Sequence, residues 1–281
     1  MAIESKLIMK NGVPYVATLE VTQLDNIFEG MFDEFAIIND ALNGAIATSH
    51  ENGRKIVNYI ESVNESVILT EGEKFDKVKA LADKAKNGPF KKVWTFFETI
   101  FKTAIRVASK IANAAKAKAA AIADKLQSKD YTIYRSDQLY GDHLKCFDKA
   151  YENYQEARKT SKAVMVPDLP KLDSYKDSRT MTPKQVISYV TAEETFIKKM
   201  RDRMNKKINP VFSIEKQNAA DTESKDAYLA KKINDYAECL MAILRNFNQC
   251  VQKMLQNTAD MVKSLGKKGE KLMNNGNDGN N

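Results

Sequence analysis

Six prolines and eleven glycines in 281 residues are about half or less of ordinary usage, and this scarcity removes most of the turns that an all-β chain needs. Two histidines are present, His50 and His143, and neither has a spaced carboxylate or cysteine companion that would form a metal ligand set or a catalytic triad. The chain has no Walker loop, dinucleotide fingerprint or nucleophile elbow. Its three cysteines, Cys146, Cys239 and Cys250, make neither a metal spacing nor an even disulfide set. Cys239 and Cys250 would stand about 16 Å apart along a shared helix, too far to bridge, so all three read as small core residues in a reducing compartment. The first residues lack an apolar signal region, and no uncharged stretch is long enough for an ordinary membrane-spanning helix. These absences predict a chain with no catalytic residues, no metal and no cofactor, neither secreted by a cleaved signal nor spanning a bilayer.

What is abundant points to helices. Hydrophobic residues make up 43% and charged residues 29%, enough apolar matter for a core and the balance of long helices. The net charge of +7 is unevenly placed: residues 1–88 hold nine basic against fourteen acidic groups, whereas residues 89–126 hold eight against Glu98 and Asp124 alone. An acidic head beside a basic body suits self-association or an anionic partner.

Along the chain, Leu7–Lys10 and Val13–Val21 flank Asn11-Gly12, the pair best suited to a tight hairpin turn, and Pro14 makes the second run an edge strand. The reading is a docking hairpin over residues 1–22. From Leu24 to Val63, ten of the twelve heptad seam sites are apolar, including Met31, Ile38, Phe28, Phe35 and Leu42. Gly53, Ser49 and Asn52 weaken the seam and predict a break or a kink near residues 49–53. Thr70 and Glu73 form a capping-box pattern for a short helix that ends at Asn87-Gly88. A further helix is expected from about Asp137 to Lys162. Residues 164–182 then read as a linker, longer than most connections inside a domain, which closes a helical region over 23–163. Thr182-Pro183 opens another helix that Asn209-Pro210 should end, within a C-terminal helical region over 183–265. A second heptad seam runs through Leu229, Ile233, Tyr236, Leu240, Ile243, Phe247, Cys250, Met254 and Met261. The two seams can pair with each other or with those of a second copy. Residues 266–281 read as a flexible tail. The fold class is therefore all-α: an elongated helical bundle with two long heptad-patterned helices and a small N-terminal β-hairpin.

The basic helix over 89–126 is the best functional lead. Lys91, Lys92, Lys102, Arg106, Lys110, Lys116 and Lys118 are candidate nucleic-acid contacts, because cations that neutralise phosphates need no sequence-specific motif. Phe90, Trp94, Phe97 and Phe101 crowd its first third and are candidate membrane or partner contacts. Its wide apolar face also fits a helix buried in a bundle, and the alanine-rich end, Ala112 to Ala123, suits close packing. Tyr131, Tyr134 and Tyr140 cluster after it and fit either core packing or base stacking. Carboxylate pairs such as Glu193-Glu194 read as solvated helix faces.

The run Asn64-Glu65-Ser66-Val67-Ile68-Leu69-Thr70-Glu71-Gly72, followed by a charged stretch and by Phe90-Lys91-Lys92-Val93-Trp94-Thr95-Phe96-Phe97, resembles an arrangement in virion-associated helical proteins of large tailed bacteriophages. In such phages a maturation protease often cuts after a hydrophobic-x-Glu triplet. Leu69-Thr70-Glu71 has that form, as does Ile27-Phe28-Glu29. The resemblance implies a structural particle component, made in the host cytoplasm and kept in the virion. It would contact copies of itself, other virion proteins and DNA, and it would have no catalytic residues. Two alternatives stand beside it: a nucleic-acid-binding protein that uses the basic helix, and a membrane-active helical protein of the pore-forming or injection-associated kind.

Overall fold

The computed structural model of the protein describes residues 7–10, 13–16, 21–65, 89–122, 128–160, 162–221 and 227–275. The described residues are mostly helical, with two small antiparallel sheets of two strands each. The elements in order are β1 (Leu7–Lys10), β2 (Val13–Val16), α1 (Val21–Glu65), α2 (Pro89–Ile122), β3 (Lys129–Tyr134), α3 (Ser136–Lys159), a 3-10 turn (Leu172–Tyr175), β4 (Lys176–Met181), α4 (Pro183–Asp221) and α5 (Ala227–Asn275).

The hairpin forms with Lys10 opposite Val13 and Leu7 opposite Val16; its turn at 11–12 lies outside the described residues. So do the expected short helix, its capping box and the Leu69-Thr70-Glu71 triplet.

α5 is the centre of the molecule, packed against α1, α2 and α3. Its sequence explains this position, since from Ile233 to Leu265 apolar residues recur on most of its circumference, and Leu240, Ile243, Leu244, Phe247 and Val251 are all buried. α1 lies antiparallel on α5: Asn248 pairs with Asn39, Asn234 with Ser49, and Gln252 with the Phe32 carbonyl, so one number falls as the other rises. Phe28, Met31, Phe35, Ile38 and Leu42 of α1 are buried, and α1 packs on α5 and on α2.

Of the break or kink expected at residues 49–53, the break does not form: α1 is one helix from Val21 to Glu65. The polar site there is satisfied across the contact, because Ser49 donates to Asn234 and the Asn234 amide donates to the Ser49 carbonyl at 3.2 Å. A paired polar group in a seam costs far less than an orphaned one.

α2 runs parallel to α5, with Phe90 beside Tyr236, Phe101 beside Phe247 and Lys118 bonded to the Val262 carbonyl. α4 lies antiparallel on the other flank of α2, through Ser109–Glu194 and Glu98–Arg201. α4 begins with a full capping box: the Gln185 amide donates to the Thr182 hydroxyl, and the Thr182 amide donates to the Gln185 side chain at 2.8 Å. It continues past Asn209-Pro210 to Asp221, where an end was expected at the proline. Pro210 removes one helical hydrogen bond, and the turns on either side carry the helix across.

Residues 164–182, expected as a linker, are built into the fold. Val164, Leu172 and Met181 are buried, and β4 pairs with β3 from Lys129 opposite Met181 to Tyr134 opposite Lys176. The second sheet escapes sequence reading because β4 is Lys-Asp-Ser-Arg-Thr-Met, exposed except at Met181, and has no apolar alternation. Residues 266–275, expected as the first part of a flexible tail, are helical: α5 extends to Asn275, since good helix formers such as Lys271, Leu272 and Met273 propagate a helix already nucleated upstream, and residues 276–281 lie outside the described residues.

Candidate functional site

Positions 90, 93, 97, 100, 101, 104, 108, 111, 112 and 115 of α2 return to one side every three or four residues, and all of them are buried. The rings among them form a chain across the core. Phe97 lies 4.9 Å from Phe101, and Phe101 lies 5.1 Å from Phe247 of α5. Phe90, Phe97 and Phe101, candidates for a membrane or partner surface, are core residues, the alternative that the wide apolar face of this helix also offered. Burying a phenylalanine side chain stabilises by about 2–3 kcal/mol, and α5 offers the matching apolar face. Trp94 stays half-buried at the rim, 5.3 Å from Phe97.

The opposite side of α2 carries the charge. Lys92, Lys102, Arg106, Lys110 and Lys116 are exposed, and from Lys92 to Lys116 the helix rises about 36 Å. Arg106 is paired with Glu34 of α1, and Lys102 lies 3.6 Å from Glu98. Lys92, Lys110 and Lys116 hold no ion pair among the described residues. Lys118 is half-buried and donates to the Val262 carbonyl at 3.3 Å, so it is tied into the fold. The side chain of Lys91 lies outside the described residues. The structure thus presents five of the seven candidate cations on one outward stripe.

Sequence reading passed over a second basic stretch. Between residues 198 and 207, α4 carries Lys198, Lys199, Arg201, Arg203, Lys206 and Lys207 against Asp202 alone. The signal was present as a local charge run, but its value depends on α4 lying beside α2, which periodicity does not reveal. Arg201 reaches Glu98 of α2 at 3.2 Å, and Lys198 reaches Glu194 at 2.7 Å.

A buried polar cluster was also missed. Glu193, expected on a solvated face, is 6% exposed, because it points between β3 and α3. The Ser136 hydroxyl donates to it at 2.5 Å, Tyr189 hydrogen-bonds it, and the Tyr189 hydroxyl accepts from the Tyr134 amide. Burial without a cationic partner pushes the Glu193 carboxyl up to about 7. Its neighbour Glu194 takes the contrasting environment: hydrogen bonds from Lys198 and Ser109 hold its carboxyl below the usual value. Nearby, Tyr140 is buried, which removes it as a base-stacking surface, and its hydroxyl has no hydrogen-bond partner among the described residues. Tyr131 and Tyr134 are half-buried on β3.

His143 is buried between the Leu139 carbonyl and Asn246, each at 2.9 Å, and burial lowers its pKa, which favours the neutral ring. The three cysteines are free and buried, with thiols raised by burial, to about 11 at Cys250. Among the described residues no group of His, Cys, Asp and Glu is placed to hold a metal ion, and no helix is long and apolar enough to cross a membrane. Comparison with known proteins gives no match to a family model, a curated protein or a solved structure.

Proposed function

We propose that this chain is a non-enzymatic structural component of a tailed-phage particle that contacts packaged DNA through the outward cations of α2. The observation that carries the proposal is the division of α2: its rings are packed in the core, and what it offers to a partner is the stripe Lys92, Lys102, Arg106, Lys110 and Lys116. Cations on a rigid helix meet a phosphate backbone without needing base contacts, and exposed ion pairs such as Arg106–Glu34 are weak enough to exchange for phosphate. We take α1 and α5, 45 and 49 residues long, as the heptad-seamed frame of an elongated bundle whose other surfaces meet virion proteins and copies of the chain. The resemblance over residues 60–115 supplies the particle. The membrane-active alternative draws little support from α2, because Phe90, Phe97 and Phe101 are core residues and only Trp94 reaches the rim.

Two measurements test this. Proteomics of purified particles should find the chain at many copies per particle, and its absence from particles that package DNA would end the structural reading. Purified protein should bind duplex DNA at low salt with affinity that falls steeply as salt rises, and binding that ignores salt would remove DNA as the partner. A nucleic-acid-binding protein outside any particle would pass the second test and fail the first.

A further inference from the structure

We infer that the phosphate-contacting surface is the seam between α2 and α4, with α4 supplying a second row of cations; this rests on the DNA reading of α2 above. The helices run antiparallel with Arg201 opposite Glu98, so residues 198–207 of α4 flank the first half of α2, where Lys92 and Lys102 stand. Along the seam, Lys102 and Arg201 share Glu98, at 3.6 and 3.2 Å. Further along, Lys198 and Ser109 share Glu194, both at 2.7 Å, and the charge of Lys116 favours its ionised form. Four cations face two carboxylates, so the seam keeps a net positive charge.

Lys199 and Lys206 add to it from the crest of α4. Both are exposed, neither holds an ion pair among the described residues, and seven residues of spacing returns them to the same side about 10 Å apart. Packed helices stand about 8–10 Å apart, so the crests of α2 and α4 form two roughly parallel rows of positive charge.

A phosphodiester backbone fits this pattern better than a lipid surface does. The exposed large hydrophobic residues among those described are Ile37, Met165 and Val166, none of them on α2 or α4, and insertion at a membrane interface needs apolar side chains beside the cations. Glu98 and Glu194 hold the seam cations in place and at the same time oppose an incoming phosphate.

The test measures binding of the full chain to a fluorescent duplex of about 20 base pairs across a salt series. The variant Lys199→Gln/Lys206→Gln should weaken binding about tenfold at low salt and reduce the salt slope by about 2, the effect of two lost phosphate contacts. Lys145→Gln/Lys149→Gln makes the same charge change on exposed positions of α3, away from α2, and should alter binding little. Glu98→Gln should tighten it. Circular dichroism melts matched to wild type establish that each variant is folded.

If the α4 pair behaves like the α3 control while Lys92→Gln/Lys110→Gln/Lys116→Gln weakens binding, the inference falls and the α2 reading stands. If wild type shows no salt-dependent binding to DNA, both fall. Equal sensitivity of the α4 pair with vesicles of anionic lipid, in the absence of DNA binding, would assign the seam to a membrane and overturn the inference as well.

Discussion

At the scale of single residues, Glu193 is where the fold carries its clearest electrostatic cost. Its carboxyl sits at the junction of β3, α3 and α4, with neutral hydroxyls as its direct partners, and Asp137 nearby opposes its ionisation further. A carboxyl titrating near 4.5 in the unfolded chain and at about 7 in the folded one binds its proton more tightly when folded. The folded state therefore gains relative stability that is fully present below about pH 4.5 and is lost as pH rises through 7, a difference of about 3 kcal/mol. Glu193→Gln keeps the shape and can still accept from Ser136. We expect it to flatten the fall in melting temperature between pH 5 and pH 8 and to be the more stable protein at pH 8. Identical pH profiles for wild type and variant would show that the carboxyl is not the source. Glu194, one residue on, is the internal contrast: it faces α2 and is held ionised by Lys198, which shows that neighbouring positions on one helix take their chemistry from the elements they meet.

At the scale of elements, the contact between α1 and α5 is pinned by polar pairs inside an apolar seam. Asn248 is fully buried and donates to the Phe35 carbonyl and to the Asn39 side chain, both at 3.0 Å. Such pairs fix register, since sliding either helix by one turn would leave the amides without partners in a dry contact. A double-mutant cycle of Asn39→Ala and Asn248→Ala should give a coupling energy of about 1 kcal/mol, read from denaturant unfolding; additivity within error would deny the pair. The same polar sites explain why the elements were only partly legible. Heptad spacing of Phe28, Phe35 and Leu42 reveals the apolar stripe of α1, but Ser49 reads as a weak point until Asn234 is seen opposite it. β4 offers no apolar pattern at all, and its identity as a strand depends on β3 lying alongside. Likewise, the outward stripe of α2 can be read from its own spacing, whereas the basic run of α4 becomes part of a surface only through the Glu98–Arg201 contact. What the sequence leaves hidden is, in each case, the partner.

At the scale of the whole molecule, the question is whether residues 164–182 divide it. Their length and two prolines suggest a boundary, but the buried apolar side chains on both sides belong to one continuous core. α5 comes from the C-terminal side, and it packs against α1, α2 and α3, all from the N-terminal side. α4 repeats the arrangement by packing on α2 and α3. Neither half can bury its apolar surface alone: without α5, the rings of Phe90, Phe101 and Tyr140 lose their cover, and without α1 to α3 most of the circumference of α5 meets water. We therefore expect one cooperative unfolding transition, with fluorescence of the single tryptophan on α2 and far-ultraviolet circular dichroism giving the same midpoint. Fragments 1–163 and 164–281 expressed separately should be insoluble or molten, and expressed together they should recover the native spectrum as a complex. Two separated transitions, or a 164–281 fragment with a cooperative melt of its own, would restore the boundary. The cationic seam adds a further reading of the same experiment, because α2 and α4 come from opposite sides of residues 164–182. If the seam binds DNA, neither fragment should bind with the affinity of the whole chain, and the reassembled complex should.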